Sequence, residues 1–510
     1  MSDAARFSSA ASQGGAVDPL VVAVDGGMIG GQKQGIADLR AFLGIPYAAP
    51  PVGPLRWRPP QPVAAWHGVR PTRTLAPQCL QVARPADSVY AEYAGVQPMS
   101  EDCLHLNVWS AAPLASARWP VMVWFHGGAF QQGAGSNPVS VRGDLPDRGV
   151  VLVTFNYRLG PFGFMAHPGL SEESPQGSSG NYGLLDMAAV LGWVRRNIAA
   201  FGGDPDQVTL FGQSAGAAGI VDRMAATRTR GLFARAIAQS FGVTTMHTLA
   251  EAERSGTAFA ERVGAAGPAA LRELDAETLL ARYVESNERW MPIVDGDFIE
   301  RPVRDIFAAG GQARVPLLTG WNANEGTTFP TAADTAELKR RLRGRFGERA
   351  DEAEKLYYPC TSNAAARTSS LDLIGDDLFA GGVWQAARAQ TRVAPTYVYY
   401  FDHPQPFAAG QNFREAEDPA ALGVFHSAEY PYVFGSTAAL TRNWGAADQH
   451  MTELMQACWI RFAKHGDPNG TRLPTWPMFV DEAGSLTVMR LAPEPGLIDA
   501  PRRAQLAFAA

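Results

Sequence analysis

The sequence contains no run approaching the ~18 apolar residues that a membrane span requires, so no segment of it is expected to cross a bilayer. It also lacks any block of like charge. Its 44 basic residues are dispersed among 50 acidic ones and the formal net charge is −6, which argues against a nucleic-acid-binding surface. Lysine is almost missing, confined to Lys33, Lys339, Lys355 and Lys464, and the remaining basic residues are arginine. No low-complexity linker or internal repeat divides the 510 residues, although length alone would suggest several domains. Met1-Ser-Asp-Ala-Ala-Arg6 has no basic stretch followed by an apolar core, so no signal peptide is expected and the chain reads as cytoplasmic as given. Cys360 and Cys458 show no metal-ligand spacing, and no metal or other cofactor is expected.

What is present is material for a large core, with 46% hydrophobic and 10% aromatic residues. Residues 1–18, small and polar, are expected to be disordered, and 19–510 to form a single α/β domain. Early strands are expected at 20–24, 121–125 and 150–155. Stretches 242–289 and 332–384, rich in Ala, Leu, Glu and Arg, read as helical insertions that form a cap over a pocket.

The most informative stretch is Gly212-Gln-Ser214-Ala-Gly216, entered by the apolar run Val208-Thr-Leu-Phe211 and left by an Ala-rich helical segment. A serine on a sharp turn between strand and helix is presented as a nucleophile, and only residues with almost no side chain let the backbones approach so closely there. The new helix directs N–H groups and its positive dipole end at the place where negative charge develops during acyl transfer. A serine hydroxyl is a poor nucleophile at neutral pH, so a histidine must take its proton and a carboxylate must orient that histidine. Downstream of the serine, the strand-like run 315–320 leads to Asn322-Ala-Asn-Glu325-Gly326, which makes Glu325 the leading acid. After a further strand at 396–401, a turn-rich loop reaches Phe425-His426-Ser-Ala-Glu429, which makes His426 the leading base. Glu429 is the alternative acid, although so short a spacing better suits a supporting carboxylate.

Upstream, the apolar strand 120–125 runs into His126-Gly-Gly-Ala-Phe130, a Gly-rich loop able to turn main-chain N–H groups toward an oxyanion. The expected donors are the amides of Gly128, Ala129 and Ala215. His126, placed before the glycines, is expected to pack or to fix the loop.

These residues resemble the type-B carboxylesterases, a family that includes bacterial para-nitrobenzyl esterases, liver-type carboxylesterases and cholinesterases. The resemblance runs through Phe42-Leu-Gly-Ile-Pro-Tyr-Ala-Ala-Pro-Pro-Val-Gly53, Ser100-Glu-Asp-Cys-Leu-His-Leu-Asn-Val-Trp109, Gly180-Asn-Tyr-Gly-Leu-Leu-Asp186 and Phe201-Gly-Gly-Asp-Pro205. It continues through Asn324-Glu-Gly326, His426-Ser-Ala-Glu429, Tyr432-Val-Phe-Gly435 and Phe462-Ala-Lys-His-Gly-Asp-Pro468, and so covers nearly the whole chain. It implies an α/β-hydrolase fold, with a large central, mostly parallel sheet flanked by helices, and a Ser-Glu-His triad that falls on Ser214, Glu325 and His426. It implies that Ser240, in Gln239-Ser240, braces the triad from behind, although Phe241 stands where the family motif has glycine. It also implies a disulfide between Cys79 and Cys103, which would suit a periplasmic or secreted protein as the alternative to a cytoplasmic one.

The substrate side follows from the same comparison. Gln213 stands where the family often has glutamate, which removes a negative charge beside the site. Tyr93 falls where cholinesterases carry a choline-binding tryptophan. Phe130, Phe329 and Phe425 are each tied by sequence to a catalytic element and are expected to wall the pocket, Phe329 on the acyl side. The expected activity is hydrolysis of small to medium, largely apolar esters through an acyl-enzyme, with a small-molecule ester and water as the reacting partners. An amidase, a lactonase, a carbamate hydrolase or a natural-product ester hydrolase remains the alternative. A non-catalytic binding role fits poorly with an intact Ser214, Glu325 and His426.

Overall fold

The computed structural model describes residues 18–35, 38–113, 117–141, 143–242, 246–481 and 486–509. The expected disordered segment, apart from residue 18, lies outside the described residues. Among the described residues eleven strands form the central sheet. In chain order they begin with β1 (Gln32–Lys33), β2 (Arg40–Pro46), β3 (His105–Ser110) and β4 (Trp119–Phe125). They continue with β5 (Val151–Phe155), β6 (Gly203–Gln213), β7 (Arg235–Gln239) and β8 (Leu317–Asn322). The last are β9 (Thr396–Phe401), β10 (Thr487–Leu491) and β11 (Gly496–Asp499). Across the sheet the order is β11-β10-β9-β8-β7-β6-β4-β5-β3-β2-β1. The strands from β10 to β5 in that order pair in parallel, while β3, β2 and β1 extend one edge antiparallel and β11 the other.

Alternation along the parallel strands builds a core on each face. Val121, Val123 and Phe125 of β4 point into one core, shared with the helices Tyr182–Asn197 and Ala215–Ala225. Met122 and Trp124 point into the other, shared with the helix Ala446–His465. Side chains alternate across a strand, so a sheet covered on both faces needs an unbroken apolar run such as Val121-Met-Val-Trp-Phe125. The order also reverses at β4, since β5 lies on one side of it and β6 on the other. A reversal of this kind leaves a crevice beyond the carboxyl ends of the strands, and both the Gly-rich loop and the Ser214 turn emerge there.

The strand expected at 20–24 forms, as Val21–Val24, but outside the central sheet. It turns back at once to pair antiparallel with Gly27–Gly30, which also pairs with Val69–Pro71. The 242–289 stretch contains the helices Leu249–Arg262, Pro268–Glu273 and Ala276–Ser286, the first started by a capping box between Thr248 and Glu251. The 332–384 stretch contains Thr335–Phe346, Ala350–Leu356 and Asn363–Gly375, and then a π-turn at Asp376–Ala380. Cys79 and Cys103 are paired as a disulfide with Cα atoms 5.0 Å apart, while Cys360 and Cys458 are free and buried. Among the described residues no helix is long and apolar enough to cross a membrane.

Candidate active site

β6 ends at Gln213 and the next helix begins at Ala215, which leaves Ser214 alone on the turn with φ 58° and ψ −127°. That backbone conformation is costly for a residue with a Cβ and persists only where the surroundings enforce it. The Ser214 N–H donates to Gln239 O on β7 at 2.9 Å, which ties the turn to the neighbouring strand. On the other side, a Cβ added to Gly216 would lie 2.0 Å from Phe125 O, so any larger residue would lift the helix off β4. Ser214 opens onto a cavity of about 430 Å³. Its hydroxyl makes no hydrogen bond among the described residues.

Glu325 is buried on the loop after β8. Its Oε1 accepts from the Asn322 N–H at 2.7 Å, and its Oε2 lies 2.6 Å from His426 Nδ1. A carboxylate accepts only, so Nδ1 carries the proton and Nε2 keeps the lone pair. The imidazole is held on several sides. Phe379, from the π-turn, stacks on it with ring centroids 3.9 Å apart, and Phe329 lies at 6.1 Å. The Tyr90 hydroxyl donates to the His426 carbonyl at 2.8 Å. Gln213 Nε2 stands 3.1 Å from His426 Nε2, so in this arrangement the lone pair that a serine proton needs is met by an amide N–H.

Glu429 is fully buried and makes no hydrogen bond to His426. Its Oε1 accepts from Gln239 Nε2 at 3.0 Å and its Oε2 from Asn322 Nδ2 at 2.7 Å. Asn322 therefore serves both carboxylates, Glu325 through its backbone and Glu429 through its side chain. Burial, followed by the nearby charge of Glu325, pushes the Glu429 carboxyl above its ordinary range. The Ser240 hydroxyl, expected to brace the triad, is buried with no hydrogen-bond partner among the described residues. The brace runs instead through its neighbour Gln239, which also accepts from Trp459 Nε1 at 3.0 Å.

The loop after β4 is strained over consecutive residues, with φ 114° at Gly128, 56° at Ala129 and 58° at Phe130. A Cβ on Gly128 would lie 2.0 Å from Gln132 O, so the tight loop excludes a side chain there. Among the described residues the N–H groups of Gly128, Ala129 and Ala215 donate no hydrogen bond, which leaves them available to an acceptor in the cavity. His126 packs behind the loop, its ring stacked on Tyr157 with centroids 4.3 Å apart.

Burial lowers the His126 imidazole from its ordinary 6.5 to about 4. The unfolded chain then binds this proton at a higher pH than the folded one, so the group's contribution to stability is complete above about 6.5 and is lost as pH falls toward 4. The loss amounts to roughly 3 kcal/mol at the acid end. Denaturant titrations at pH 7 and 4.5 are expected to show a smaller acid loss for His126→Asn than for the wild type. Equal losses would remove His126 from the acid response.

The aromatic residues divide. Phe329 and Tyr93 line the cavity, with the Tyr93 hydroxyl accepting from Gln405 Nε2 at 2.9 Å. Phe130, 2% exposed, instead packs on Phe164, and Phe425, 0% exposed, packs on Phe407 and Tyr90, so neither is a pocket wall. Sequence reasoning missed Phe379 and Tyr90, which hold His426, and Arg84, which lines the cavity. Phe379 lies in a stretch read as continuous helix, where Gly375 and Gly381-Gly382 were the only marks of a break and do not tell which side chain it redirects, while Tyr90 and Arg84 lie on the Cys79–Cys103 loop, whose path no periodicity fixes.

The chain matches the family described as "Carboxylesterase family" over residues 18–509. It is 39% identical over 473 residues to fumonisin B1 esterase of Sphingopyxis macrogoltabida, covering 88% of this chain and 83% of that protein. It is 35% identical over 469 residues to para-nitrobenzyl esterase of Bacillus subtilis (strain 168), covering 88% and 90%. Among solved structures, a PNB esterase superimposes with a TM-score of 0.82 at 32% identity, covering 96% of this chain and 99% of that one.

Proposed function

The chain belongs to the carboxylesterase family and is an ester hydrolase, and from that premise we propose that it works through an acyl-enzyme formed on Ser214. The observation that carries this reading is the 2.6 Å contact between Glu325 Oε2 and His426 Nδ1, made beside a serine held on a strained turn. As Ser214 Oγ attacks the ester carbonyl, His426 Nε2 takes its proton, once the Gln213 amide has given up that lone pair. The amides of Gly128, Ala129 and Ala215 receive the oxyanion, where unpaired backbone donors in a partly closed cavity act strongly. His426 then protonates the leaving alcohol and activates the water that releases the acid. Glu325 stays ionised throughout, fixing the tautomer and stabilising the imidazolium.

A cavity of about 430 Å³ supports small to medium esters as substrates. The test is a panel of p-nitrophenyl esters of increasing acyl length beside the matched anilides. Turnover of the esters with little turnover of the anilides is expected, and the opposite order would make the protein an amidase. The ring of Phe329, its centroid 6.1 Å from that of His426, supports a role for Phe329 in limiting the acyl group. Phe329→Ala is expected to raise kcat/KM for bulky acyl esters relative to acetate by ~1–3 kcal/mol of discrimination. An unchanged acyl-length profile in a folded variant would return Phe329 to a packing role.

A further inference from the structure

The chain carries a net charge of −6, yet the charged side chains of the Ser214 cavity wall are biased the other way. Arg84 and Arg289 both line it, and the acidic residue on the same wall, Glu288, is engaged with Arg262 at 3.7 Å. Glu325, below the wall, is committed to His426. Arg289 is exposed, and alone it would be an ordinary solvated rim residue.

Arg84 is different. It is half-buried, and it makes no ion pair and no hydrogen bond among the described residues. Its guanidinium lies over the Tyr90 ring, 5.3 Å from the centroid. A guanidinium attracted by a ring spends none of its N–H donors on a hydrogen bond, so they stay free to donate in pairs. Glu415 attracts it without forming an ion pair, and its oxygens accept from the Ser88 hydroxyl at 2.6 Å and the Val89 N–H at 3.0 Å. Tyr90 fixes the position of this cation relative to the reacting centre, because its hydroxyl donates to the His426 carbonyl at 2.8 Å. An arginine held over an aromatic ring, with no hydrogen bond and no ion pair to a carboxylate among the described residues, is suited to a planar anion.

We propose that this site takes esters bearing a second, free carboxylate, and that Arg84 is the residue that binds it. The inference rests on the ester-hydrolase reading of Ser214 and names its substrate class. The carboxylate enters on the acyl or the alcohol portion of the ester, and Arg289 at the rim adds attraction during approach.

Two matched pairs of esters separate these cases. Mono-p-nitrophenyl adipate against its terminal amide reports an acyl-side carboxylate, and butyryl glycolate against butyryl glycolamide an alcohol-side one. In at least one pair the wild type is expected to favour the anion in kcat/KM by roughly 10- to 100-fold, the range of a hydrogen-bonded charge pair. Arg84→Gln should bring that ratio close to 1, and Arg84→Lys should restore part of it. Because the ratio cancels the concentration of active protein, partial misfolding of a variant does not imitate the effect. Anion-to-amide ratios near 1 in both wild-type pairs would overturn the proposal, as would a preference that Arg84→Gln leaves intact. The neutral amide esters test the hydrolytic reading separately. Their turnover without any anion preference removes the carboxylate alone, whereas inertness of all four compounds removes both readings.

Discussion

Replacing Ser214 by alanine is expected to abolish ester turnover, with a loss on the order of 10⁶ in kcat, the scale seen when a serine hydrolase loses its nucleophile. What survives would be the contribution of binding and of the oxyanion donors. The fold should not change. Alanine meets the same backbone cost as serine at φ 58°, and among the described residues the Ser214 hydroxyl makes no hydrogen bond whose loss would be felt. The expected result is therefore a variant with a wild-type melting temperature and almost no activity. A sulfonyl fluoride or organophosphate should add one mass equivalent to the wild type, mapped by peptide mass spectrometry to Ser214, and none to the variant. Wild-type turnover in the variant, or an adduct on another serine, would overturn the assignment.

The elbow and the order of its partners were legible in the sequence because each depends on a local constraint. Gly216 must be small because β4 presses on it, and Glu325 and His426 follow strands that read as apolar runs whatever lies beside them in space. The misplacements occurred where a residue's direction depends on a turn. Phe130 and Phe425 are neighbours in sequence of site residues, yet the strained backbone after Gly128 and the burial of Phe425 against Phe407 turn both rings into the core. Likewise Ser240 and Gln239 are adjacent, but the longer side chain of Gln239 is the one that reaches Glu429. Phe379 could not be found at all. It reaches His426 from a π-turn whose flanking glycines, Gly375 and Gly381-Gly382, mark a weak point in the helix but not the direction in which the widened turn sends a side chain.

Glu325→Gln is expected to lower kcat by a few orders of magnitude, toward the ~10⁴ lost when the analogous carboxylate of a serine protease becomes an amide. The local hydrogen bonds give the reason. Glu325 accepts twice, from the Asn322 N–H at Oε1 and from His426 at Oε2. Glutamine offers one oxygen and one NH₂, so one of these contacts becomes donor against donor. If the oxygen stays with Asn322, the NH₂ faces His426 and drives the imidazole into the wrong tautomer; if it turns to His426, the buried Asn322 N–H loses its acceptor. Either way the imidazolium formed during attack loses its counter-charge. Glu429→Gln meets a similar conflict with Gln239 and Asn322, but without contact to His426. That variant should lose melting temperature and less than about 10-fold in kcat, since its effect reaches the imidazole only through Asn322. Measuring kcat and melting temperature for both variants gives opposite rankings if the roles are as assigned. A larger kcat loss in Glu429→Gln would move the orienting carboxylate to Glu429 and leave Glu325 a structural acid.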